Sequence, residues 1–177
     1  QKQTAKADGK GYWEVNLKAL EAGGPYQLQI IGKENQISIK DILIGDVWLC
    51  SGQSNMQWVV NNVTNAEVEK KNANYPQIRT LNIPRRMELS PKDTISATWL
   101  VCSPENVGRF SGVAYFFAKK VYEETNIPIG IINSSWGGTI VETWTSLEAA
   151  NTLPQKRLDR YNKNEKLFPP TEYLTRK

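Results

Sequence analysis

An α/β fold built on a parallel sheet and entered through an antiparallel β meander is what this sequence predicts. Three observations carry that prediction. Short apolar segments at Val47–Cys50, Ile78–Ile83 and Ile129–Ile132 alternate with helical patterns, as strands of a parallel sheet do. The helical pattern between the last two strands has one apolar and one charged face, the mark of a helix lying on a sheet. Ahead of Val47 the apolar period is two, which belongs to half-solvated antiparallel strands.

The meander comes first. Tyr12–Leu17 alternates, Gly23-Gly24-Pro25 is a turn, and Tyr26–Ile31 alternates again before a second turn at Gly32–Asn35. Ile37–Ile39 and Ile42–Ile44 follow. Two or three hairpin strands are marginal alone, so they are expected to complete a sheet lying elsewhere. Residues 1–40 therefore read as a region apart from the α/β part that follows.

Val47–Cys50 is the first strand of the α/β part, and it stops abruptly at Ser51-Gly52. A helix is expected to open near Asn55. Ile78–Ile83, bounded by Pro76 and Pro84, is the second strand. Ser111 is placed to cap a helix whose Val113, Ala114, Phe117, Ala118 and Val121 share a face, opposite Lys119, Lys120, Glu123 and Glu124. Asn126-Ile127-Pro128 ends that helix, and Ile129–Ile132 is the third strand, running into Asn133–Thr139. Strand, helix and strand joined this closely make a right-handed crossover unit. The tail over 154–177 is charged and weakly apolar and is broken by Phe168-Pro169-Pro170; nothing in it completes a core. Three parallel strands form a small sheet with exposed edges, so the chain is expected to be part of a larger protein.

Composition narrows the function classes. The 177 residues suffice for one domain with a core, with 40% hydrophobic and 23% charged residues. The net charge of +4 is mild, and no basic stripe interleaved with aromatics argues for nucleic acid. No apolar run approaches the roughly 20 residues of a membrane span. The first residues, Gln1-Lys2-Gln3, are polar, and a removed leader would leave the same start. Two distant cysteines, Cys50 and Cys102, read as buried free thiols rather than a disulfide framework. With no histidine and no CxxC pattern, a metal site is not expected, and neither is a cofactor.

The chemistry concentrates at Ser54. A serine on a tight turn between a strand and a helix is where α/β hydrolytic folds place a nucleophile, beside free helical N–H groups. The alternative is a plain capping serine. Gln53 and Asn55 put amide donors on both sides of it. A second glycine turn, Gly137-Gly138-Thr139, follows another parallel strand, and ligands of open α/β sheets bind at the carboxyl ends of strands. An N–H of Gly137 or Gly138 would then face the Ser54 hydroxyl and serve as an oxyanion donor. Against this, a serine nucleophile normally passes its proton to an imidazole, and the chain contains no histidine.

Other residues are weaker candidates. Asp46 reads as a turn or cap and Trp48 as core. Trp58, Trp136 and Trp144 have the surface to stack on sugars, although six tryptophans are mostly packing residues; Trp136 has the best position, on the glycine turn. Glu142 is balanced between pocket residue and surface charge. Asn62-Val63-Thr64 and Asn133-Ser134-Ser135 fit the glycosylation pattern, the second at a turn expected to be buried.

Asp46–Met56, Phe110–Phe117 and Ile131–Thr139, the last continuing to Glu142-Thr143-Trp144, closely resemble three successive blocks of the sialate O-acetylesterases, in the SGNH hydrolase superfamily. The resemblance runs from about Trp13 to Ala149. It implies a flavodoxin-like, three-layer α/β sandwich around a parallel sheet, incomplete here, with residues 41–153 as its N-terminal part and residues 1–40 as the end of a β-rich accessory region ahead of it. It implies Ser54 as nucleophile attacking an acetyl ester, with its own N–H and that of Gly137 or Gly138 binding the oxyanion. Gln53, Asn55, Trp136 and Glu142 would contact an acetylated sugar. Family members take a third donor from a Gln-Gly-Glu-type block and their remaining triad members from an Asp-x-x-His block. Neither block is in this chain, so a partner polypeptide, or the rest of the same one, would have to supply them. The resemblance also implies an extracytoplasmic location. Two rival readings stay open: an esterase for acetylated xylan, and a non-catalytic carbohydrate-binding or structural remnant.

Overall fold

The computed structural model describes residues 1–86, 88, 91–152, 154–156 and 159, which fall into two compact units meeting between Asp46 and Val47. The expected tail over 154–177 lies, apart from 154–156 and 159, outside the described residues.

In the first unit, β1 (Gly23–Ile31) and β2 (Gln36–Ile44) form an antiparallel hairpin, closed by Gly32–Asn35 with Ile30 opposite Ile37. The segments expected as two strands at Ile37–Ile39 and Ile42–Ile44 are one strand, with Asp41 held at φ 60° inside it. Tyr12–Leu17 alternates but is not a strand. Alternation prepares a segment for pairing, and among the described residues no neighbour pairs with it. No residue of this unit is buried, because a two-stranded ribbon has no interior.

The second unit holds a four-stranded sheet in the order β3-β6-β4-β5, where β3 is Asp46–Gly52, β4 is Tyr75–Asn82, β5 is Trp99–Cys102 and β6 is Ile129–Ser135. β4 and β6 are parallel, with Ile78 opposite Ile129, Thr80 opposite Ile131 and Asn82 opposite Asn133. At one end of β3, Val47 lies beside Gly130; at the other, Gly52 O accepts from Trp136 N–H. β3 therefore runs in the same direction as β6. β5 is antiparallel to β4 and was not among the expected strands. Its four-residue apolar run is too short for periodicity to declare it.

Between the strands lie α1 (Ser54–Gln57), α2 (Ala66–Asn72) and α3 (Gly112–Thr125), with a short α4 (Leu147–Ala150) after β6. α3 begins and ends where the sequence says. Ser111 caps it, its Oγ accepting from Ala114 N–H at 3.3 Å, and Asn126 closes it in the left-handed conformation. Its buried face is rotated from the expected one. Ala114, Tyr115 and Ala118 are buried, whereas Val113 is 52% and Phe117 38% exposed. Tyr115 can turn inward because its hydroxyl donates to Glu69 Oε2 (3.2 Å), which also pairs with Lys119 Nζ (3.1 Å). That face covers Ile78, Thr80, Ile129 and Ile131 on the sheet, each worth about 1.5–3 kcal/mol of burial for the isoleucines.

β3 departs from expectation. Cys50 is buried, but Val47 and Leu49 are 61% and 69% exposed, and Trp48, expected in the core, is also exposed, resting edge-on against Phe117. Among the described residues β3 is the edge of its sheet, paired with β6 alone, so fewer neighbours cover its faces.

The segment after β3 is fastened to the start of α3. Val60 N–H donates to Phe110 O, Gly112 N–H to Trp58 O, and Ser111 Oγ to Met56 Sδ at 3.4 Å. Val60, Val107 and Phe110 are fully buried beneath. Ser111 thus serves both the cap of α3 and the anchorage of α1. Ser111→Ala is expected to cost about 1 kcal/mol, lowering Tm by about 2–4 °C in a thermal melt; an unchanged Tm would contradict the capping role.

Candidate active site

The site is set by two turns at the carboxyl ends of adjacent strands. β3 ends at Gly52, whose φ of +150° is poorly tolerated by residues with a side chain. The chain reverses there into Gln53 and α1, placing Ser54 in the first helical turn. Its N–H has no partner within the helix for the usual geometric reason. β6 ends at Ser135, and Trp136–Thr139 turns back through Gly138 at φ +80°.

The turns are tied together by backbone and side chain. Trp136 N–H donates to Gly52 O at 3.0 Å, and Gly137 N–H donates to Gln57 Oε1. A Cβ built on Gly137 would lie 3.1 Å from Ser54 Oγ and 2.9 Å from Gln57 Oε1, so only glycine fits without displacement. The same test at Gly138 meets nothing within 4 Å. The fold brings Gly137 to Ser54; Gly138 shapes the turn.

Ser54 is exposed, and among the described residues its hydroxyl has no hydrogen-bond partner. The side chains of Gln53 and Asn55 flank it and are exposed. Trp136 is half-buried and Thr139 Oγ1 donates to its carbonyl (2.7 Å); Trp144 Nε1–H donates in turn to Thr139 Oγ1 (2.8 Å), tying the second turn to the next segment. Trp58 is instead committed locally, its indole N–H donating to Asn62 O at 3.0 Å. Glu142 falls in the helical turn Val141–Trp144, and its side chain lies outside the described ones.

Cys50, four residues before Ser54, is no competing nucleophile. Burial pushes its thiol up from the ordinary range, and burial pushes Cys102 up to about 11, so both are neutral near pH 7. Both are free, as their positions suggested. Gln57, which shares the Gly137 contact with Ser54, is an amide and no base, and the chain has no histidine.

Sequence reasoning passed over three groups here. Gln57 was legible in principle, since it stands three residues after Ser54 on the same helical face. Asn82 and Asn133 are opposed at the ends of β4 and β6, with Asn133 Nδ2–H donating to Asn82 Oδ1 at 3.0 Å. Arg85 and Arg109 are brought beside them only by the fold. Together with Gln57, Val59, Ile83 and Ser135 these residues line a cavity of about 210 Å³.

Residues 44–167 match the family model described as carbohydrate esterase, sialic acid-specific acetylesterase, a span opening close to the start of the second unit. The chain belongs to that family. It is 33% identical to the sialate O-acetylesterase of Mus musculus over 179 residues, covering 93% of this chain and 33% of the mouse protein. It is 39% identical to that of Homo sapiens over 147 residues, covering 76% and 28%. A crystal structure of a carbohydrate acetylesterase from Xanthomonas citri superposes with a TM-score of 0.78 at 38% identity, over 84% of this chain and 36% of that one. The chain thus spans about a third of the length of these relatives. The α/β fold expected for the family is the one found, with an antiparallel β5 added to the parallel strands.

The two glycines of the second turn are separable by experiment. Gly137→Ala is expected to shift the amide resonances of residues 54–57, because its Cβ enters the space of Ser54 and Gln57. Gly138→Ala should leave those resonances in place and cost about 1–2 kcal/mol for a left-handed alanine. Identical spectra for the two variants would contradict this division.

Proposed function

We propose that this chain carries the nucleophile and oxyanion side of a serine carbohydrate O-acetylesterase acting on O-acetylated sialic acid. The observation that carries the proposal is the approach of Gly137 to Ser54 across the ends of β3 and β6. It supports a reaction in which Ser54 Oγ attacks the acetyl carbonyl. The negative charge that develops on the carbonyl oxygen is bound by the N–H groups of Ser54 and Gly137. Collapse expels the sugar hydroxyl and leaves an acetyl-serine, which water then hydrolyses. Gln53, Asn55 and Trp136 border the space the sugar would occupy, and Glu142 follows on the same segment. Acyl transfer by this route calls for no metal and no cofactor.

The proton from Ser54 needs an acceptor. The 177 residues contain no histidine, so the base and its orienting carboxylate come from further polypeptide, in the same protein or a second chain. The complete enzyme would work on glycans outside the cytoplasm, the location its family resemblance implies.

Acetate release from a 9-O-acetylated sialic acid tests this directly. The 177-residue chain alone should be nearly inert, since loss of a triad base costs on the order of 10⁶-fold. Adding the remaining polypeptide should restore turnover, and Ser54→Ala should abolish it. Brisk turnover by the chain alone would defeat the claim of an external base. Unimpaired Ser54→Ala would defeat the esterase reading itself.

A further inference from the structure

The cavity that Gln57 lines carries positive charge that no described residue of its lining balances. Arg85 follows the carboxyl end of β4, and Arg109 ends the short helical turn Val107–Arg109 before α3. Both are exposed and line the cavity, and among the described residues no Asp or Glu does. Neither side chain has an ion-pair or hydrogen-bond partner among the described residues. Glu88, the nearest acid in sequence to Arg85, pairs with Lys92 at 3.6 Å.

The remaining lining is suited to hydroxyl groups: the amides of Asn82, Asn133 and Gln57 and the hydroxyl of Ser135. Asn133 Oδ1 is buried and has no partner among the described residues, although its Nδ2–H is held by Asn82. A buried acceptor left unmet is unfavourable, and a polar ligand in the cavity would relieve it. Gln57 joins this cavity to the acyl site, because it lines the one and holds Gly137 in the other. Ser54 and Gln57 are one helical turn apart, roughly 5 Å along the axis, so one sugar can span both.

We propose that Arg85 and Arg109 form a carboxylate-binding subsite that selects an acidic sugar over a neutral one. This rests on the esterase reading for the identity of the ligand and deepens it. A guanidinium fork matches a carboxylate in two parallel hydrogen bonds, and no neutral pyranose supplies that partner. The subsite accordingly favours sialic acid over acetylated xylan, the two substrate classes that acyl chemistry alone leaves equal.

Binding measured without catalysis is the test. The chain is titrated with N-acetylneuraminic acid and with its uncharged methyl ester, following backbone amide resonances by NMR. The acid should bind at least about ten-fold more tightly, as expected for hydrogen bonds between charged partners, and shift residues 82–85, 109 and 133–135. Arg85→Gln and Arg109→Gln should each remove most of that preference while the resonances of α3 stay in place. Lys120→Gln makes the same charge change on an exposed lysine paired with Glu124, and should remove none of it. Equal binding of acid and ester, no acid-dependent shift at those residues, or equal weakening by Lys120→Gln would overturn the subsite. Because this readout bypasses Ser54, a chain that prefers the acid but gives no Ser54-dependent acetate release once the remaining polypeptide is added overturns the esterase reading alone.

Discussion

The hydrogen bond from Trp136 N–H to Gly52 O is the constraint on which the rest of the site depends. It joins the ends of two neighbouring strands, two residues before Ser54. Without it the two glycine turns would be independent loops, each free to choose its own path. With it, the next amide in line, that of Gly137, is delivered to Gln57 and set against Ser54, two residues beyond Gly52. Residues some eighty positions apart thus acquire a fixed spacing from one backbone contact.

That contact is only as rigid as its supports. Below α1, the buried Val60, Val107 and Phe110 and the Ser111–Met56 contact hold the turn against α3. α3 is in turn seated on β4 and β6 through Tyr115, whose burial depends on Glu69 accepting a hydrogen bond from its hydroxyl. The chain of support runs from a polar contact on α2, through a helix and a sheet, to the placement of one hydroxyl.

What was legible in the sequence was local. The strand into Gly52, the turn at Ser54, the cap at Ser111 and the stop at Asn126 are each specified by residues within a few positions of one another. The parts that were not legible depend on partners distant in the chain. β5 exists because β4 offers an edge to pair with, whereas Tyr12–Leu17 alternates as well as many strands do and pairs with no described neighbour. The face of α3 turned because Glu69 was available to Tyr115. Exposure of Val47 and Leu49 follows from sheet order, which periodicity does not encode. Within the site, Ser54 and the glycine pair could be named from sequence, but the choice of Gly137 over Gly138 required the geometry. Gln57, Arg85 and Arg109 bear no local mark of a shared cavity.

Gln57 Oε1 on the Gly137 amide has a consequence for selectivity along the reaction coordinate. A neutral amide oxygen already occupies the donor, so an incoming ester carbonyl, also neutral and a poorer acceptor, gains little by competing for it. An oxyanion is a different competitor, since hydrogen bonds to an ionised acceptor are roughly twice as strong. On the proposed mechanism the donor changes hands only as charge develops, and the side chain acts as a threshold set between ester and tetrahedral intermediate. Interaction energy withheld from the ground state and released in the transition state is the form in which binding accelerates chemistry. A glutamine with no proton to give or take would thereby contribute to rate.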